Sequence, residues 1–231
     1  MELLRNLALD ELSPCPYLEG REKQFEYFFA HNLDEEEISS LLSEGWRKFG
    51  IHFFRPACPT CTECIPLRVL TNDFAPSKSQ RRILKKEESI DVKFGPPRYD
   101  PRIYQIFEAH SLERFSQPTG FEDFLLSFYT PACPGMQSEY YFEGELVGVG
   151  FLDRGSDCLS SVYFAFDPHR SELGLGTFSI LKEIEEARKM GLPHYYLGFY
   201  VPGCARMTYK DHFLPREHYD WESAQWLPAG E

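Results

Sequence analysis

Three cysteines spaced three apart, Cys58, Cys61 and Cys64 in PACPTCTEC, are the first residues whose types and spacing can do chemistry. Thiolates at such spacing hold zinc or an iron–sulfur cluster when a fourth ligand stands near, and Cys15 or His52 can supply it. The plainer reading is favoured: no second cysteine pair completes the usual four, so the thiols pack as small hydrophobes in a tight loop. Cys133, Cys158 and Cys204 also read as packing residues, because no histidine spacing marks one as a nucleophile. A second cluster is cationic. Lys78, Arg81, Arg82, Lys85 and Lys86 put five cations into KSQRRILKK with no acid between them, which makes either a solvated helix face or a local anion-binding patch. The third, YYLGFYVPGCARMTYKDHF, places Cys204, Arg206, Met207, Tyr209 and Lys210 after a strand. Alone it allows a structural cysteine, a phosphate-binding arginine or a general base. In the fourth, DPHRSELGLGTF, Gly174 and Gly176 let backbone amides approach a ligand at a helix start, where negative charge is favoured.

These residues need elements to hold them. NLDEEEISSLLSEGWRKFG carries Ile38, Leu41, Leu42 and Trp46 on one face, acids in the first turn and Gly50 beyond the end, so it predicts an amphipathic helix. IHFFRP and IPLRVLT read as short strands flanking the cysteine loop. The basic segment reads as a helix from Lys78 to Glu88. PRIYQIFEAHSLERF and FEDFLLSFYT have helical apolar spacing, separated by a QPTG breaker. After Cys133 the texture alternates: QSEYYFEGELVGVGFLD turns at Glu143-Gly144, and CLSSVYFAFDP completes an antiparallel meander. The glycine-opened helix TFSILKEIEEARKMG and the strand HYYLGFYV follow, giving a mixed sheet. Such a loop after a meander resembles the Gcn5-related N-acetyltransferase superfamily. The match is partial: the usual cation three residues before the first glycine is Ser171 here, with Arg170 one residue further back. The resemblance gives the fold and leaves the ligand open.

A chain of 231 residues holds one large core or two modest ones. Its net charge of −12 excludes a general nucleic-acid coat, though not a local basic patch. No apolar run approaches the roughly 18 residues of a membrane span. Met1 to Glu19 has acids and prolines where a signal peptide needs a basic end and an apolar run, so the expected location is cytoplasmic. Seven cysteines, an odd number, read as reduced thiols rather than a disulfide framework.

Taken in order, CPYLEGRE, FFRPACPTCTECIPLRV, FAPSKSQRR, LSSVYFAFDP to LGLGTFSILKEI, and YYLGFYVPGCARMTYKDHFLPRE resemble the arginyl/leucyl-tRNA–protein transferase family, above all its short bacterial members. The likeness runs from about Cys15 to Glu217. It implies an aminoacyltransferase that moves leucine, or arginine, from charged tRNA to the N-terminus of proteins beginning with Asp or Glu, creating a degradation signal. The implied partners are charged tRNA, Leu-tRNA first, and those protein substrates, with no membrane. The aminoacyl ester is already activated, so neither ATP nor a cofactor is required. The implied fold is α+β, an N-terminal α/β unit over residues 1–95 packed on an acyltransferase-like domain over 96–231.

For an acidic acceptor or for tRNA, the residues matching family motifs are Ser79, Gln80, Arg81, Arg82, Arg206 and Lys210. Asp153 is the choice for proton handling or for orienting the aminoacyl amine, Tyr209 for hydrogen bonding the ester or the leaving hydroxyl, and Gly174 and Gly176 for the donor end. Eukaryotic members have a second cysteine where this chain has Leu18, which counts against an iron–sulfur cluster at Cys15, Cys58, Cys61 and Cys64. Two other readings compete: a CoA-dependent N-acetyltransferase, weakened by Ser171, and a noncatalytic binder of acidic N-termini.

Overall fold

The computed structural model describes residues 1–86, 89–116 and 119–229. The chain begins with β1 (Glu2–Leu9), the two-residue pair β2 (Ser13–Pro14) and β3 (Glu22–Lys23), and β4 (Phe25–His31). Helix α1 (Glu35–Ser43) starts on a reciprocal cap in which Asp34 accepts from the Glu37 amide and the Glu37 carboxylate accepts from the Asp34 amide. It buries Ile38 and Leu42 as expected but stops at Ser43. Gly45, at φ +83°, turns the chain, so Trp46 packs on the core from outside the helix and Arg47–Phe49 becomes strand β5. β5 and β6 (His52–Pro56) complete a four-stranded sheet in the order β1-β4-β6-β5.

The second sheet has eight strands. After β7 (Ile65–Leu70) come α2 (Lys78–Lys86), β8 (Ile90–Gly95), α3 (Pro101–Phe115) and α4 (Phe121–Phe128). The expected meander is β9 (Gly135–Phe142), β10 (Glu145–Arg154) and β11 (Cys158–Phe166), with Glu143 and Gly144 both at positive φ in the first turn. Then α5 (Leu175–Lys189) leads to β12 (His194–Tyr200), and β13 (Arg216–Asp220) with β14 (Gln225–Pro228) forms a final hairpin. The sheet order is β14-β13-β7-β12-β11-β10-β9-β8, antiparallel except for β11 and β12. Because β7 pairs with β12 and β8 with β9, this sheet draws strands from both sides of residue 95, and that boundary does not separate two sheets. Glu87 and Glu88 of the expected basic helix, and Gln117 and Pro118 of the breaker, lie outside the described residues.

Both faces of the large sheet are covered, which is why β10 is buried along nearly its whole length. On one face Ile180, Leu181, Ile184 and Ala187 of α5 pack on Leu67, Leu152, Leu159 and Tyr195. On the other, Ile103, Ile106 and Phe107 of α3 and Phe124 of α4 pack on Val149, Phe151 and Ala165. The four-stranded sheet shares a core with the large one: Phe28, Trp46 and Phe53 meet Cys158 and Tyr196. The fold is thus α+β with one large mixed sheet. Among the described residues no helix is long and apolar enough to cross a membrane.

Candidate active site

The parallel strands β11 and β12 pair only at Cys158–His194, Leu159–Tyr195 and Ser160–Tyr196. A register shift and Gly198, at φ +83°, then carry β12 away, still paired to β7. The strands part, and a cavity of about 450 Å³ opens over the gap. Ser160–Phe164 of β11 and Leu197–Phe199 of β12 line it, together with Gly176 and Ser179 of α5. Its walls come from His110 and Arg114 of α3, Arg47–Phe49 of β5, Asp153 at the end of β10, and residues of the 204–210 segment. Five lining residues are lysines or arginines (Arg47, Lys48, Arg114, Arg206 and Lys210), against one carboxylate, Asp153. A chain of net charge −12 therefore folds a cationic cleft out of residues scattered over more than 160 positions.

Each charge is held differently. Lys48 Nζ lies 2.8 Å from Asp153 Oδ1, both side chains being more than nine-tenths buried, and Cys133 Sγ donates to the same oxygen at 3.4 Å. Burial alone would lower the Lys48 pKa, but the Asp153 charge and hydrogen bonds to Asp153 and Cys133 outweigh it and raise it. Lys210 Nζ donates to the Phe199 carbonyl at 3.0 Å. Burial, then the nearby cations Arg47 and Arg114, pull its pKa down to about 8. Such an amine is partly neutral near pH 8 and can exchange protons with an α-amine, whose own pKa is roughly 7.7–8.0. Tyr209, at the cleft wall, has its phenol pKa raised by desolvation. His110 is pulled down to about 4 by burial and then by Arg114, so it is neutral at pH 7. Its Nδ1 stands 3.3 Å from the Tyr163 hydroxyl. Arg206 Nη2 donates to the Pro16 carbonyl at 3.2 Å and ties the 204–210 segment to the loop before β3.

Asp153, Gly176, Arg206, Tyr209 and Lys210 thus come together in one cleft. Gly174 lies outside the lining; at φ +61° it caps the start of α5. Ser79, Gln80, Arg81 and Arg82 stand apart on α2, which packs beside α5. Gln80 is buried, accepting from the Ser77 amide at 2.8 Å and donating to the His212 carbonyl at 3.1 Å, so it clamps α2 to the turn at 208–212. Ser79 shares a hydroxyl contact of 3.0 Å with Ser77, and Arg81 donates to the Pro76 carbonyl. Arg47, Lys48, His110 and Arg114 are cleft residues that pattern reading overlooked. The helical pattern runs on through Arg47 and Lys48, whereas Gly45 turns them onto a strand. His110 and Arg114 are four apart and share a face of α3, but that helix also carries Arg102, Gln105, Glu108, Ser111 and Glu113, so pattern alone does not single them out.

Cys15, Cys58, Cys61 and Cys64 converge on a second, small cavity together with Tyr17 and Val201. Burial, then the neighbouring thiols, push Cys64 up to about 12. The Gln24 amide donates to Cys58 Sγ at 3.4 Å, and Arg21 Nη1 to Cys61 Sγ at 3.2 Å. The donors suit zinc or iron in type, but among the described residues no three such side chains close a metal-holding group as they are placed. His52 lies elsewhere, stacked at 4.9 Å on Phe29. Cys133 and Cys158 have thiols raised chiefly by burial, as packing residues do.

Two family models match the chain: arginine-tRNA-protein transferase, N terminus, over residues 13–82, and arginine-tRNA-protein transferase, C terminus, over residues 101–220. An aspartate/glutamate leucyltransferase of Marinobacter nauticus is 34% identical over 224 residues, 94% of each chain. One of Sinorhizobium medicae is 37% identical, covering 88% of this chain and 85% of its own. Among solved structures, that of L-PGS from Bacillus licheniformis superposes with a TM-score of 0.48 at 14% identity, over 78% of this chain and 54% of that one. With both halves of the family matched in order and a full-length relative above 30% identity, the chain belongs to the arginine-tRNA-protein transferase family of aminoacyltransferases.

Proposed function

We propose that this protein takes a leucyl group from its ester on the 3′ end of charged tRNA and joins it to the α-amine of proteins beginning with Asp or Glu, marking them for degradation in the cytoplasm. The observation that carries the reading is the cationic cleft where β11 and β12 part: an acidic protein concentrates positive charge where an anionic donor and an acidic acceptor must meet. The parted parallel pair beside a glycine-opened helix also favours a Gcn5-related acyltransferase architecture, with a transferred acyl group lying across the gap.

The acceptor nitrogen, once neutral, attacks the ester carbonyl carbon. A C–N bond forms, the C–O bond to the tRNA 3′ oxygen breaks, and that oxygen leaves with one proton. Lys210, with its pKa near 8, receives the proton that the acceptor ammonium must first lose and passes it to solvent. Tyr209 donates a hydrogen bond to the departing oxygen. Asp153, fixed by Lys48, orients the donor's own ammonium. Gly176 leaves room at the α5 N-terminus for the donor end, and Gly174 sets the start of that helix. On α2, Ser79, Arg81 and Arg82 contact tRNA phosphates outside the cleft, while Gln80 holds that helix in place. No step needs a cofactor, and the cysteine cluster is kept outside the reaction.

The test is transfer of labelled leucine from charged tRNA to peptides that begin with Asp, Glu or Ala, with Arg-tRNA run in parallel. Leucine transfer to the Asp and Glu peptides alone is expected. Transfer from acetyl-CoA with none from Leu-tRNA, or tight peptide binding without turnover, would sink the reading.

A further inference from the structure

Arg47 has an environment that the chain itself leaves incomplete. It is 7% exposed, on β5 in the cleft wall. Its Nη1 donates to the Trp46 carbonyl at 3.3 Å, but the buried Nε and Nη2 have no hydrogen-bond partner. Those two atoms form one edge of the guanidinium, the edge that meets a carboxylate with two parallel N–H donors. The rings of Tyr196 and Phe199 lie 5.1 and 5.9 Å from the guanidinium carbon and fix the group without satisfying that edge. Asp153, the carboxylate in the cleft, is engaged by Lys48 and Cys133. Burying a charged donor without a partner is costly, and the cost is recovered when an anion arrives.

The structure favours one kind of anion. A tRNA phosphate is bulky and tied to a backbone, suited to exposed cations such as Arg206 or those of α2. A buried two-donor edge suits a slim, planar carboxylate on a short stem. Lys210, the proposed proton acceptor, lines the same cleft as Arg47, so a carboxylate seated on Arg47 keeps the attached chain end within that cleft. Phe199 lines the same wall. From this geometry we infer that Arg47 is the specificity residue that receives the side-chain carboxylate of the acceptor's first residue. The inference rests on reading the cleft as the aminoacyl-transfer site.

The experiment compares peptides starting with Asp and with Asn, and with Glu and Gln, in the intact protein and in Arg47→Met, which keeps an apolar stem and removes the fork. The unaltered protein should prefer Asp to Asn. In Arg47→Met that ratio of kcat/KM should fall by about 100-fold, as expected when a site built for a polar group loses its partner, while KM for charged tRNA stays within about twofold. A thermal melt reports whether the variant folds. If it does not, Arg47→Lys is read instead: it retains charge without the two-donor edge, and the ratio should fall by about 10-fold. An Asp-to-Asn ratio preserved in the folded variant overturns the inference, as does a rise confined to the KM for charged tRNA, which would give Arg47 to the donor. Absence of leucine transfer by the unaltered protein would instead overturn the proposed function.

Discussion

At the scale of single residues, the proposed chemistry turns on how burial and nearby cations set one lysine. Lys210 is the cleft amine whose pKa falls to about 8, first because burial desolvates its charged form and then because Arg47 and Arg114 repel a third positive charge. A proton acceptor must be deprotonated to act, so kcat should rise with pH through about 8 and level above it. The free acceptor amine titrates in the same range, which makes kcat at saturating peptide the quantity to follow rather than kcat/KM. In Lys210→Met, kcat should fall by about 100-fold and lose that rise, with the fold intact. An unchanged pH profile in the variant would assign Lys210 to charge alone.

At the scale of elements, α5 carries a second shifted group, behind the cleft. Glu183 is buried against the sheet, accepting from Ser138 Oγ of β9 at 3.1 Å and from the Tyr195 hydroxyl of β12. Burial pushes its pKa up to about 7, with both hydrogen bonds pulling the other way. Gly150 of β10 makes room, since a Cβ there would lie 2.6 Å from Glu183 Oε1. A raised folded-state pKa means that the native chain holds this proton more tightly than the unfolded one. The resulting stability is complete below about pH 4.5 and is lost progressively as pH climbs to about 7. Glu183→Gln should therefore gain about 2 kcal/mol relative to the parent at pH 8 and much less at pH 5, read by urea melts at both values. An equal change at both pH values would contradict it. Elements also decide what pattern could reveal. The meander, α3 and α5 are local signals: alternation, helical apolar spacing, a glycine opening. β1 and β4 went unread because their pairing is with each other and with β6, far along the chain. β5 is three residues long, too short for any period, and owes its place to Gly50, whose amide donates to the Ser127 carbonyl of α4 at 2.7 Å. Tyr209 and Lys210 were legible as candidates because a polar cluster directly after a strand needs a reason and the family resemblance covers that stretch. Arg47 was not, because only the turn at Gly45 separates it from a helix end.

At the scale of the whole molecule, net charge and site charge oppose one another. The surface as a whole repels a polyanion, and the cleft with its neighbouring α2 cations attracts one, so tRNA should be admitted in few orientations. Raising salt from about 50 to about 200 mM should lift KM for charged tRNA by roughly 10-fold while leaving kcat nearly constant, a modest slope for a nucleic-acid partner. A salt-independent KM would remove phosphate contacts from the account. The same parting of β11 from β12 that makes the cleft also has a bearing on protection from solvent exchange. Eight hydrogen-bonded strands would ordinarily hold their most slowly exchanging amides at the centre, yet here the central pair shares three register positions and then separates. The sheet has an edge in its middle, and its slowest amides should lie to either side of the cleft rather than beneath it.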